Sequence, residues 1–114
     1  MRYRPIRRNS EFGRVYARGK SYVNPALVLY VLKTRGRNTR VGLTATKKIG
    51  HAVQRNRLRR QLREIYRLHE ASFVPGYDLV VVARSRAIGA DYAVLEHAYL
   101  SLAARLGLLT QNTP

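Results

Sequence analysis

The chain has no cysteine in 114 residues. That excludes a disulfide scaffold, cysteine-ligated zinc and thiol catalysis. Acid is scarce as well, with 6 Asp plus Glu against 22 Lys plus Arg. The six acids are Glu11, Glu64, Glu70, Asp78, Asp91 and Glu96, and no two have a spacing that suggests paired carboxylates or a metal site. The three histidines, His51, His69 and His97, are isolated from one another. Gly36, Gly42 and Gly50 match neither a Walker nor a Rossmann phosphate loop. No apolar run approaches the ~20 residues that span a bilayer. The basic start MRYRPIRRNSEF is not followed by an apolar signal core. Repeats, low-complexity tracts and interdomain linkers are absent. With these absences a cytoplasmic protein is the default expectation, and no catalytic residue or metal ligand is predicted on the chain.

What is present is charge. The formal net charge is +16, while 46% of the residues are apolar. One domain with a modest core is expected. So much like charge opposes a compact state until a partner neutralises it, and nucleic acid fits better than an anionic membrane surface.

The charge concentrates in Lys47–Glu70, KKIGHAVQRNRLRRQLREIYRLHE. As a helix from about His51, this stretch sorts by face. Leu58, Leu62, Ile65 and His69 step by four, three and four, with Tyr66 widening the apolar stripe. Asn56, Arg60, Arg63 and Arg67 take the same steps on the opposite side, within roughly 60° of arc. Planar guanidinium forks suit phosphate oxygens. Like charges at i,i+4 repel, and a merely solvated helix interleaves Glu with Lys. The pattern therefore predicts a polyanion-binding face, with Lys47 and Lys48 at its entry.

Elsewhere, Asn9 or Ser10 can cap a helix through about Arg18, with Phe12, Val15 and Tyr16 on one face. Val15 suits core; Phe12 and Tyr16 suit core or function equally. Ser21–Lys33 reads as one strand, Thr34–Thr39 as a hairpin-like turn, and Arg40–Thr46 as a second strand. Tyr77–Ala83, YDLVVVA, is apolar on both faces and so central. Asp91 precedes a final helix, Tyr92–Leu106, with a stripe of Tyr92, Leu95, Tyr99, Leu102 and Leu106. The prediction is an α+β fold. One mixed sheet of about four strands packs with helices in the order αβββαβα or αββαβα, and residues 1–9 and 108–114 are flexible.

The run K-K-I-G-x-A-V-x-R-N-R-L-R-R-x-L-R at Lys47–Arg63 resembles the signature of the bacterial ribonuclease P protein subunit. F-x-x-V-Y-x-x-G-x-S at Phe12–Ser21, V-L-Y at Val28–Tyr30, V-G-L-T at Val41–Thr44 and D-L-V-V-V-A-R at Asp78–Arg84 extend the resemblance over nearly the whole chain. It implies an accessory subunit of a holoenzyme that removes the 5′ leader from precursor tRNA. The catalyst is then a large RNA with bound Mg2+, and no cofactor sits on the protein. The residues facing that RNA would be Lys48, Arg55, Asn56, Arg57, Arg59, Arg60 and Arg63, with Lys47 and Arg67 as additional basic face. The leader would lie in a cleft between the Arg-Asn-Arg helix and the sheet, against Phe12, Tyr16 and Tyr30. A left-handed βαβ crossover is likewise implied. This sequence has Arg59 where many relatives carry Lys, His51 where Asn is common, and Tyr16 for a frequent Phe. Composition alone would also suit a ribosomal-type RNA binder; a protein nuclease lacks its acid/base groups.

Overall fold

The computed structural model describes residues 3–110 other than 35 and 37. In chain order the elements are β1 (Tyr3–Pro5), α1 (Asn9–Arg18), β2 (Lys20–Val23), β3 (Leu27–Lys33), β4 (Thr39–Thr44), α2 (Ala52–His69), β5 (Tyr77–Ala83) and α3 (Tyr92–Arg105). A 3₁₀ turn over Lys47–Ile49 leads into α2. The five strands form one sheet in the order β1-β4-β5-β3-β2. β5 pairs parallel with β4 and antiparallel with β3. The α+β fold is as the sequence predicts, with one strand more than the four expected.

Four local expectations are corrected. First, β3 and β4 form no hairpin, because β5 lies between them. Its side chains are apolar in both directions, so it is most stable with both faces covered and both edges paired. Second, Ser21–Lys33 is two strands. Asn24 turns the chain: its Oδ1 accepts from the Ala26 and Leu27 amides at 3.0 and 2.9 Å, and its Nδ2 donates to the Ala98 carbonyl at 3.1 Å. Pro25 has no N–H to give a ladder, so the Asn-Pro pair breaks the strand. Third, the ends are better held than expected. Tyr3–Pro5 pairs in parallel with Thr39–Val41, Leu108 is buried, and Leu109 bridges to Phe73. Residues 1, 2 and 111–114 lie outside the described residues. Fourth, the cap of α1 is Arg8, one residue before the earlier of the two expected caps. Glu11 Oε1 reaches back to accept from the Arg8 amide at 3.2 Å, which satisfies a free donor of the first turn.

Strand alternation gives the sheet two chemically different faces. On one, Leu27, Leu29, Leu79, Val81 and Val41 pack against Leu58, Leu62, Ile65 and Tyr66 of α2 and Leu95, Tyr99 and Leu102 of α3. Each fully buried aliphatic side chain there contributes roughly 1.5–3 kcal/mol. The other face carries only α1, whose Val15 sits with Ile6 and Val80 in a small second cluster.

Candidate nucleic-acid interface

The α2 stripe predicted from spacing is the one buried: Leu58, Leu62, Ile65 and Tyr66. His69, at its end, is half-buried and meets Glu96 at 2.8 Å. The opposite side presents Asn56, Arg57, Arg60, Arg63 and Arg67, all exposed, beside Lys47 and Lys48 on the preceding turn. Among the described residues, Arg57, Arg60 and Arg63 make no ion pair. Arg67 is bound by Glu64, which holds the Glu64 carboxyl below the usual carboxylate range. The predicted basic residues are therefore not equivalent. Arg59 leans towards the sheet, donating to the Ala45 carbonyl at 3.0 Å and to Asn56 Oδ1 at 3.2 Å. Asn56 thus positions an arginine. Arg55 is half-buried, and its Nε has no protein partner.

Gly50 and His51 set the angle at which α2 departs. Gly50 is extended (φ 169°), a conformation open to any residue, but a Cβ there would lie 2.7 Å from Gln54 Oε1. The same Gln54 oxygen accepts from the His51 amide at 2.8 Å, closing the first turn. Glycine is needed for space, so that Gln54 can cap.

Phe12, Tyr16 and Tyr30 come together on the opposite face of the sheet, the one that carries α1. Ring centroids are 6.3 Å apart for Phe12–Tyr16 and 4.9 Å, edge to face, for Tyr16–Tyr30. The three rings therefore do not line a cleft between α2 and the sheet, where the resemblance put them. The aromatic groove lies between α1 and the sheet. Its floor follows the strand register. Gly42, Val80 and Tyr30 form one row; Thr44, Val82 and Val28 form the next, which is only half-covered. Phe12 lies flat because Gly42 has no side chain, since a Cβ there would come within 2.6 Å of its ring. Tyr16, 40% exposed, sets its hydroxyl 3.4 Å from Thr44 Oγ1. Arg84 and Arg86, both exposed, follow β5 at the open end of that row. Arg84 donates to the Asn24 carbonyl at 2.8 Å.

A polar network anchors α1. Asp78 is fully buried, yet Arg40 donates to both its oxygens, from Nε at 2.9 Å and Nη2 at 2.7 Å. Arg40 Nη1 also donates to Glu11 of α1, and Arg14 approaches Asp78 at 3.5 Å. The bidentate fork compensates an otherwise costly buried charge. The Arg8 amide, and then the Arg40 guanidinium, hold the Glu11 carboxyl below its usual range. Asp78 already receives these donors, and no group of three or more His, Cys, Asp or Glu among the described residues could hold a metal ion. Gly42, Thr44, Arg84, Arg86 and this network were not singled out from sequence. Strand alternation beside Tyr30 is the signal that could have found the first two.

The two surfaces are joined by one dipeptide. Thr44 meets Tyr16 on the α1 face, and the next residue, Ala45, accepts from Arg59 on the α2 side. Comparison with known proteins places this arrangement. A family description, Ribonuclease P, matches residues 1–107. The chain belongs to the ribonuclease P protein family. It is 43% identical over 109 residues to a ribonuclease P protein component of Clostridium botulinum, covering 95% of this chain and 98% of that one. It is 39% identical over 107 residues to that of Natranaerobius thermophilus, covering 94% and 93%. The Staphylococcus aureus RNase P protein superposes with a TM-score of 0.86 at 26% identity, covering 93% of this chain and 97% of that one. The Thermotoga maritima protein gives 0.81 at 28%, covering 89% and 96%. Within this family fold, no helix among the described residues is long and apolar enough to cross a membrane.

Proposed function

We propose that this chain is the cytoplasmic protein subunit of ribonuclease P, binding the catalytic RNA and the 5′ leader of precursor tRNA during endonucleolytic leader removal. The observation that carries the proposal is two surfaces of different chemistry meeting at Thr44–Ala45. One is cationic and follows α2; the other is aromatic and lies under α1. Arg57, Arg60 and Arg63 with Lys47 and Lys48 neutralise phosphates of the catalytic RNA, and Arg55, Asn56 and Arg59 fix the edge of that surface. Phe12, Tyr16 and Tyr30 hold unpaired leader bases, each stack worth ~1–3 kcal/mol and tolerant of sequence. Catalysis, and the Mg2+ it uses, belong to the RNA. The protein supplies positive charge where leader and RNA backbones converge, lowering their mutual repulsion.

The test is cleavage of precursor tRNA at low magnesium by protein alone, ribonuclease P RNA alone, and both together. Activity only in the mixture is expected. Cleavage by the protein alone, abolished by a single substitution, would sink the proposal. A mixture no faster than RNA alone would leave a general RNA-binding domain.

A further inference from the structure

A second concavity lies away from the aromatic groove. The Pro5–Arg7 segment and β4 on one side, and α2 on the other, enclose a cleft of about 340 Å³. That is near the lower end of small-molecule sites, ~300–1,000 Å³. Arg59, Leu62, Arg63 and Tyr66 face it from α2 at steps of three, one and three, one side of the helix. Leu43 and Ile6 supply further apolar wall, and Arg7 stands across from Arg63. Three guanidinium groups line the cleft and no acid does. One of them, Arg59, is fixed by its bonds to Ala45 and Asn56.

An apolar interior under a purely cationic rim suits a ligand with a flat, weakly polar body and an attached anion. Arginine planes and apolar walls accept an unstacked base, while free guanidinium forks accept its phosphate. Resting on the reading of this chain as an RNA-bound subunit, we infer that the cleft seats one unstacked nucleotide of the catalytic RNA. Its base lies between Leu43 and the Arg59 plane, and its phosphate bridges Arg7 and Arg63. The Arg face of α2 thus continues around the helix into a pocket that grips a single nucleotide.

The test uses the full chain with 13C-labelled leucine methyls. It is titrated with uridine 5′-monophosphate, uridine and inorganic phosphate. The nucleotide is expected to shift the Leu43 and Leu62 signals saturably. It should bind about fivefold more tightly than phosphate, the low end for one stacked base. Arg7→Ala, at an exposed position, should remove most of that advantage. Equal affinity for phosphate and nucleotide would reduce the cleft to an anion seat and overturn the inference. So would a nucleotide that moves Tyr16 and Tyr30 while leaving Leu43 still. In the holoenzyme, Arg7→Ala should weaken binding to the catalytic RNA and leave the preference for leader-bearing over mature tRNA intact. Unchanged RNA affinity in Arg7→Ala, with the unaltered protein still stimulating cleavage, overturns the cleft and spares the subunit role. No stimulation by the unaltered protein removes the subunit role, and the inference with it.

Discussion

On one side of the sheet two long helices bury the Leu and Val side chains of the central strands. On the other, a ten-residue helix lies over the same strands and leaves a row of Thr44, Val82 and Val28 half-open. The strands are shared, so strand composition does not create the difference. It comes from how much helix covers each face and from how each helix is held. α2 is held by burial. α1 is held by Val15, by Phe12 seated on Gly42, and by the Glu11–Arg40–Asp78 network. A face closed by burial stores stability. A face closed in part, by a few polar ties, leaves aromatic rings where a ligand can reach them.

Substitutions can break this comparison, and the largest effect should come from the closed face. Leu62→Ala, at a position 1% exposed, should cost ~2–5 kcal/mol in urea unfolding. The preference for precursor over mature tRNA should suffer only in proportion to unfolding. Next, Gly42→Ala places a methyl against the Phe12 ring, so ~1–3 kcal/mol should be lost. Unlike Leu62→Ala, it should also lower the preference for precursor over mature tRNA in folded protein. Tyr16→Ala sharpens the contrast. It should cost about 1 kcal/mol or less in stability but ~1–3 kcal/mol in leader binding. Equal weakening of precursor and mature tRNA would take the leader away from this groove.

The cationic surface gives a smaller, graded effect. Arg60→Ala or Arg63→Ala should each flatten the salt dependence of RNA binding by roughly one phosphate contact. Arg67→Ala should do less, because Glu64 already occupies that guanidinium. An unchanged slope for Arg60 and Arg63 would mean a solvated face. The smallest effect concerns acid. The Glu11 carboxyl titrates below its usual value in the folded chain. Its contribution is therefore present above the unfolded-state value, near pH 4.5, and is lost as pH falls through the lowered one. Glu11→Gln should be slightly less stable than the unaltered chain at neutral pH, and the gap should close in acid. A constant gap in urea midpoints across that range would remove Glu11 from the network.

Much of this was legible in advance. The 3.6-residue period of α2 separated Leu58, Leu62, Ile65 and Tyr66 from Arg60 and Arg63, because helix geometry is local and one face must bury. The two-sided apolar run Tyr77–Ala83 marked a central strand for the same reason. The placement of the groove was not legible. Phe12, Tyr16 and Tyr30 could be assigned to an aromatic cluster by resemblance, but the side of the sheet depends on where α1 docks. Asp78 had no partner legible in the sequence; its burial is explained only once Arg40 stands beside it in the neighbouring strand.

By itself, the amino-acid order determined most of the elements, the buried stripe of α2 and the concentration of arginine opposite that stripe. These follow from composition and short-range periodicity. Tertiary structure alone decided that β5 separates β3 from β4, that Arg59 is tied to Ala45 and Asn56 while Arg63 remains free, and that the aromatic and cationic surfaces meet at Thr44–Ala45. Each of these brings together residues distant in sequence, and local preferences do not encode such pairings.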